Sequence, residues 1–555
     1  NDDHQREVIG RKILAGSFTG SIRWFNTKHQ DGMAILRKYR KPDLFITMTC
    51  NPKWPEIQLE LMPSQSAHDR PDIVARVFKL KKDQMMKDLI YGQVLGKVDG
   101  FLWTVESQKR GLPHCHILLI LADHDRLITP EFVDNVVSAE IPPSPSESTN
   151  EEMRRMRQSL ENIVLQNMVH GPCGAANPNS QCMENGKCSK GFPKEFVKET
   201  FVDPENSYAT YKRRCPSDGG RSVLHNGKEI NNKWIVPFNP FLSQRYNCHI
   251  NAECCCSSKA CKYICKYINK GNDRAMTATN VEGQPRDEIA DYEDMRYVGS
   301  VEACWHIYGF EIHDRFPAVT ALRVHLPEEH QIVFDEDTEL EALENQRDTE
   351  LTAFFDFNKA SIDQGFEPQE LPRYSEMPEG HRYEKKQKKW IIRKQKVGNV
   401  IGRVHSIHPV AEEVYFERLL LHDNHCRGKV SFEDLRTLPN GRVCESFKEV
   451  CSELGLLSND TEWHRILDES AVTKMCPQIR QMFVIILLFC MPTNPLTLFT
   501  EFWKTWYDDI NYKAERRGVR LDEIQLKTLV LLDLEMRLSS FEKETPRLWP
   551  PLPKH

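Results

Sequence analysis

Gly111-Leu112-Pro113-His114-Cys115-His116-Ile117-Leu118-Leu119-Ile120 places two histidines around one apolar residue and follows them with an unbroken apolar run. In a β-strand residues i and i+2 share a face, so both imidazoles point the same way. Two neutral imidazoles on one face are half of a metal site. The run Ile117 to Ile120 reads as a strand buried on both faces, which would hold the pair rigidly. The ordinary alternative is a strand whose histidines meet solvent or a hydrogen-bond partner.

Working outward, Gly100 to Gln108 reads as a second strand, and Lys109-Arg110-Gly111 as the tight turn of an antiparallel hairpin. Glu106 and Gln108 share a face of that strand, and hairpin register can bring them beside His114 and His116. Either would supply the oxygen ligand that a hard divalent cation needs. Gln108, nearer the turn, is the preferred ligand and Glu106 the alternative. Upstream, Leu44 to Cys50 alternates as a strand closed by Asn51-Pro52, after a helical and partly basic segment over 1–40. Residues 72–95 carry helical periodicity.

The composition limits what the chain can be. Its 555 residues suggest two to four domains, and 40% hydrophobic with 28% charged residues describes a globular protein with a sizeable core. The formal net charge of −6 means that any nucleic-acid surface must be built from local cations. The chain opens on the polar Asn1-Asp2-Asp3-His4 with no secretory signal, so its 18 cysteines are expected as thiols or metal ligands. The longest apolar run, Met482 to Met491, is too short to span a bilayer and reads as a core helix.

Residues 121–160 read as a mobile linker, with the Pro/Ser/Glu stretch Ile141 to Ser148 at its centre. Next come His170, Cys173, Cys182 and Cys188 among Gly, Asn and Pro, in a stretch poor in apolar residues. Four such ligands suggest a zinc knuckle over 165–200, the ion supplying folding energy that the loop lacks. The alternative is unrelated thiols in a surface excursion. Ser258 to Gly271 reads as a helix that sets Tyr263 and Tyr267 one turn apart, about 6 Å, on one face. Lys259, Lys262, Lys266 and Lys270 form an adjoining stripe. A tyrosine phenol is a nucleophile for phosphorus if a metal polarises the phosphate, and the lysines would hold a DNA backbone. The plain alternative is two tyrosines packed on a core. Val319 to Val324 reads as a strand. Residues 336–400 read as an acidic then basic linker, its cluster Glu384 to Lys396 suiting a nucleic-acid surface or a nuclear-import signal. From 401 to 555 helical patterns dominate. No Gly-x-x-x-x-Gly-Lys-Ser/Thr loop is present.

These residues together resemble the replication-initiator (Rep) portion of Helitron rolling-circle transposases, in the HUH single-strand endonuclease superfamily. The matching words are Phe45-Ile-Thr-Met-Thr-Cys-Asn-Pro-Lys-Trp-Pro-Glu-Ile57, Gln108-Lys-Arg-Gly-Leu-Pro-His-Cys-His-Ile-Leu118 and His170-Gly-Pro-Cys173. They continue with Asn177-Pro-Asn-Ser-Gln-Cys182, Tyr246-Asn-Cys-His-Ile-Asn251 and Lys262-Tyr-Ile-Cys-Lys-Tyr-Ile-Asn-Lys-Gly271. Phe432-Glu-Asp-Leu-Arg436 is similar to the connector that such proteins carry before a helicase. The resemblance implies an α+β fold in which a central antiparallel sheet is flanked by helices. An HUH domain would span 41–335, and a helical connector 401–555. It further implies magnesium or manganese on His114 and His116, and Tyr263 as the initiating nucleophile with Tyr267 as the second. Lys53, Lys109 and Arg110 join the lysine stripe as expected DNA contacts. The partners it implies are single-stranded DNA at transposon ends and target, and a helicase domain or protein, with no membrane and a nuclear location. Helicase motifs, which full-length members carry, are expected to be absent from this chain. Two other readings stay open: a domesticated DNA-binding module without activity, and a zinc-stabilised interaction protein.

Overall fold

The computed structural model describes residues 18–19, 21–39, 42–107, 111–126, 129–171, 173–174, 177–184, 186–203, 208–256, 298–327, 329, 349–394, 400–405, 407, 411–457, 461–473, 475–487, 492 and 494–544. The chain divides into two compact units, 1–316 and 317–555. It is a mixed α+β protein with a central antiparallel sheet and many helices.

The first unit is organised on five strands. In chain order its principal elements are α1 (Ile22–Tyr39), β1 (Leu44–Thr49), α2 (Pro71–Ile90), β2 (Val98–Ser107), β3 (Pro113–Leu121), α3 (Glu151–Asn167), α4 (Pro240–Tyr246), β4 (Ile250–Cys254), α5 (Ser300–Ile307) and β5 (His313–Phe316). The sheet order is β4-β1-β3-β2-β5, and every neighbouring pair is antiparallel. β2 and β3 form the expected hairpin, with Gly111 in the turn at φ +80°, a left-handed conformation that a side chain disfavours. β3 is central, and all nine of its residues are buried, so it needs apolar residues on both faces.

The two faces of the sheet differ. Ile46, Met48, Trp103, Cys115, Ile117, Leu119, Ile250 and Ala252 share one core with Val74, Phe78, Met85 and Leu89 of α2. Those α2 positions recur at helical spacing, and Pro71 in the first turn fits a helix start because its missing N–H would have no partner there. Lys82 lies within this layer, its Nζ 3.6 Å from the Trp103 ring centroid and 2.8 Å from Asp83. The opposite face alternates by the period of two and carries Thr47, Thr49, Glu106, His114, His116, Asn251, Glu253, His313 and Arg315. α1 approaches part of this face: a Cβ on Gly32 would lie 2.6 Å from Leu102 Cδ2, and Asp31 pairs with Arg315 at 2.7 Å.

The mobile linker expected over 121–160 is corrected by the structure. Ile141 joins Val164, Met168, Ile235 and Phe238 in a small second core. Its N–H donates to Asn232 Oδ1 at 2.8 Å, and Arg221 bonds both the Pro142 carbonyl and Glu161. The Asn226-Gly227 hairpin turn forms, with φ of +50° and +74°.

In the second unit Ala318–Leu322 pairs in parallel with Val400–Val404. The strand expected at Val319 to Val324 therefore belongs to this unit, and the boundary falls at Phe316–Pro317, ahead of the expected 335. The 336–400 linker is corrected over its described part. Helix Glu350–Asp363 puts Leu351, Phe354 and Phe355 into the core, and Trp390 of the hairpin His381–Glu384/Lys389–Ile392 joins them. Trp390 Nε1 donates to the Glu350 carbonyl at 2.9 Å. Lys385, Lys386 and Lys389 are exposed at the turn of that hairpin. Helices from Glu413 to Glu544 complete this core around Tyr415, Trp463, Phe483, Trp503 and Trp506. Among the described residues no helix is long and apolar enough to cross a membrane.

Candidate functional site

The hairpin register sets Glu106 opposite His114 and Thr104 opposite His116, while β1 sets Thr49 opposite His114 and Thr47 opposite His116. Each histidine is bonded through Nδ1 to a threonine hydroxyl, Thr49 Oγ1 with His114 and Thr47 Oγ1 with His116, both at 3.0 Å. Nε2 of His116 lies 2.9 Å from Glu106 Oε1. The Phe45 ring stacks on His116 with centroids 5.7 Å apart. Both histidines are buried, at 6% and 7% exposure, whereas the Glu106 side chain stays 26% exposed. Burial, followed by the neighbouring His116, drives the His114 imidazole down to about 3, against the opposing pull of Glu106. His114 is therefore neutral at physiological pH and can act as a ligand.

In donor type this set suits a divalent cation, but among the described residues only His170, Cys173, Cys182 and Cys188 form a group of three or more with all ligand atoms within 4.8 Å of one another. Without a cation beside His116, its Nε2–H donates to Glu106 and Nδ1 accepts from Thr47. With one, the Nε2 lone pair turns to the ion and Nδ1–H donates to Thr47. A threonine hydroxyl donates or accepts, so it supports either tautomer, and it orients the ring from behind as ligating histidines require. Glu106, the alternative oxygen ligand of the sequence reading, stands with the pair, while Gln108 lies outside the described residues.

Sequence reasoning assigned no role to a third imidazole on this face. The Thr49 N–H donates to the His249 carbonyl at 2.9 Å, extending the β1–β4 pairing by one residue. His249 Nδ1 lies 2.8 Å from the Asn167 carbonyl oxygen. The alternation His249, Asn251, Glu253 ahead of and along β4 was the available signal.

His170, Cys173, Cys182 and Cys188 come together, their ligand atoms all within 4.8 Å of one another. A tetrahedral zinc with Zn–S near 2.3 Å needs ligand separations of roughly 3.7 Å, so small adjustments close the cluster on an ion. His170 N–H donates to the Trp234 carbonyl at 2.8 Å, and its ring stacks on Phe192 with centroids 4.2 Å apart. The two-residue strands Met183–Glu184 and Lys187–Cys188 bring Cys188 back, 3.3 Å from His170 Nε2. Burial pushes the Cys173 thiol up to about 12. Burial also raises Cys188, but backbone N–H groups of Phe192 and Lys190 outweigh it and hold this thiol below its ordinary value. The cluster can hold a metal such as zinc.

Of the expected DNA contacts, Lys53 is exposed just after β1. Lys109, Arg110, Lys259, Lys262, Lys266 and Lys270, with Tyr263 and Tyr267, lie outside the described residues.

Residues 1–119 match the family model described as the Helitron helicase-like domain at the N-terminus. The likeness supports a Helitron-related protein. The matched segment runs from the start of the chain into β3 and includes Glu106, His114 and His116. No curated protein matches the chain.

Proposed function

We propose that this chain is a metal-dependent single-stranded DNA endonuclease and strand transferase of the Helitron type, acting in the nucleus on transposon ends and target DNA. The observation that carries the reading is the placement of His114, His116 and Glu106 side by side on the polar face of the central sheet, with both rings bonded to threonines. The match over 1–119 supports a transposase-type role and association with nucleic acid and a helicase.

His114 and His116, with Glu106 or Gln108, would hold magnesium or manganese. When bound, the ion neutralises charge that develops on the scissile phosphate. Tyr263 Oη attacks phosphorus in line: its O–P bond forms, the P–O3′ bond breaks, the phenol gives up its proton to a base and the departing 3′ oxygen takes one up. The products are a 5′-phosphotyrosine and a free 3′-hydroxyl, and Tyr267 repeats the step on a second strand. Lys53, Lys109, Arg110, Lys259, Lys262, Lys266 and Lys270 hold the DNA backbone through salt-sensitive contacts. Zinc on His170, Cys173, Cys182 and Cys188 keeps the loop folded.

The test is to incubate a single-stranded transposon-end oligonucleotide with the protein and manganese, then look for a covalent adduct on a denaturing gel. An adduct lost in the Tyr263→Phe, Tyr267→Phe double variant is the expected result. No adduct from the wild type, or one that survives in the double variant, refutes the reading. DNA binding without an adduct favours an inactive binding module.

A further inference from the structure

The loop of the Cys/His cluster carries a surface that the proposed reaction does not use. From Gly186 to Lys198 the sequence holds four lysines and a single carboxylate, Glu195, with Phe192 and Phe196 interleaved. Cations alternating with aromatic rings are what a single-stranded nucleic acid needs from a surface. The structure gathers part of this stretch with Lys233. The Lys194 N–H donates to the Lys233 carbonyl at 3.0 Å, and Lys194 Nζ donates to the Lys190 carbonyl, also at 3.0 Å. Lys194 Nζ lies 5.1 Å from the Phe192 ring centroid, and Lys233 Nζ lies 4.6 Å from that of Phe196. Lys190 is exposed, while Lys194, Lys233 and both rings are half-buried. Phe192 also stacks on His170, which ties the surface to the cluster.

Other lysines of this region are neutralised: Lys198 pairs with Asp218 at 3.0 Å and Lys212 with Asp134 at 2.7 Å. Lys190, Lys194 and Lys233 form no ion pair among the described residues. A phosphate can therefore take them up without breaking one. A lysine that swings from a ring to a phosphate also uncovers that ring for a base. The surface lies near the polar face of the sheet. The Asn167 carbonyl accepts from His249 Nδ1 at 2.8 Å, and His170 follows three residues later, a reach of at most about 11 Å. His249 in turn pairs with Thr49, and Thr49 with His114, which is two strand spacings or about 10 Å. The loop thus begins within about 20 Å of His114, close enough for one bound strand to reach both.

We infer that Lys190, Lys194 and Lys233, with Phe196, form a docking surface for single-stranded DNA, phosphates lying on the ammonium groups and a base on the ring. The inference rests on the reading of the chain as one that acts on single-stranded DNA, and it requires no ion at His114 and His116. It gives the loop a role beyond its own folding: it holds the strand beside the sheet.

The test is fluorescence anisotropy of a labelled oligothymidylate with the full chain, across a salt series and without added manganese or magnesium. Zinc content is measured alongside as the check on folding. The variants are Lys190→Gln, Lys194→Gln and Lys233→Gln combined, Phe196→Leu alone, and Lys198→Gln as the control, since Asp218 already holds Lys198. Glutamine at 194 keeps a donor for the Lys190 carbonyl. Each single-strand phosphate contact adds about 0.7 to the slope of log affinity against log salt, so the triple variant should lose about 2 of that slope. Phe196→Leu should bind at least about fivefold more weakly with its slope unchanged, the effect of a lost base stack. Lys198→Gln should leave both quantities near wild type. A triple variant that keeps its zinc, its slope and its affinity overturns the inference. So does a Lys198→Gln loss as large as the triple variant's loss per lysine, which would make the effect one of total charge. Should the triple variant lose its zinc, Phe196→Leu decides, and unchanged affinity there overturns the inference as well. A wild type that does not bind the oligonucleotide at all instead overturns the underlying reading of the chain.

Discussion

Replacing Thr49 or Thr47 by valine removes one hydroxyl and little else. Valine keeps the β-branch, the volume and the strand preference, so β1 should still pair with β3 and β4. Each variant loses a 3.0 Å hydrogen bond to Nδ1 of a buried imidazole. A net hydrogen bond contributes about 1 kcal/mol to stability, and an abandoned buried polar atom costs about 1–3 kcal/mol, so each variant should fold with a modest loss. The larger effect falls on the metal. With the hydroxyl gone, nothing fixes the tautomer that exposes the Nε2 lone pair, and loss of such support costs about 10–100-fold in metal affinity. The assay is nicking of a single-stranded oligonucleotide across a manganese titration. The midpoint should move up by about that factor, while the rate at saturating manganese stays near wild type. Thr49→Ser and Thr47→Ser, which keep the hydroxyl, should restore the midpoint. A midpoint unchanged in both valine variants, or a rate loss that manganese does not rescue, refutes the reasoning.

Cys182→Ser should release about one zinc per chain and open the 165–200 loop to protease, because zinc supplies much of such a loop's folding energy; a wild type without zinc by emission spectroscopy would remove the basis for this. Stability should fall as the pH drops. His114 and His313 titrate near 6.5 when unfolded but are held down to about 3 in the fold, chiefly by burial, so the unfolded chain takes up protons that the native chain refuses. Their contribution is full above pH 6.5 and is lost progressively towards pH 3; urea midpoints that stay flat between pH 7 and pH 4.5 would contradict it. Tyr263→Phe should abolish the first cleavage and Tyr267→Phe should spare it while impairing a coupled second one. Mass spectrometry that finds the initial adduct mainly on Tyr267 would reverse the two roles.

What could be read from the sequence was local. The alternation of β2 and β3 is enough to put Glu106 and Gln108 on one face with His114 and His116. Which of the two stands beside the histidines is open in the sequence, where Gln108 is preferred, and it is the register that sets Glu106 opposite His114. The Asn226-Gly227 turn is equally local. What could not be read depends on partners distant in the chain. Ile141 and Pro142 look like linker in their own window, yet they are fixed by Asn232 and Arg221, some 80 to 90 residues later. Trp390, within a run of lysines, is buried because the carbonyl of Glu350 accepts its indole N–H. His249 is oriented by a carbonyl 82 residues earlier. The cysteine and histidine cluster was legible because its four residues fall within 19 positions of one another.

Cys115 stands between the two histidines, and its position explains why they are held so firmly. It is fully buried on the α2 side of the sheet with Ile117 and Leu119, and burial drives its thiol up to about 12. Its side chain lies on the face opposite the two imidazoles, so it cannot join them as a ligand. Its role is to fix register. A slip of β3 by one residue would carry His114 and His116 into the apolar layer and turn Cys115, Ile117 and Leu119 towards the polar face. The cost of stranding two imidazoles there, together with the loss of that packing, keeps the pair in place. The two donor sets of this unit differ in kind. The sheet offers imidazole and carboxylate, which suit a harder divalent ion, and its nearest thiol faces the other way. The thiols of Cys173, Cys182 and Cys188 sit on a loop with a single imidazole, a set that could hold a metal such as zinc. On the proposed reading, which side chains each backbone segment presents would sort two different ions within one unit.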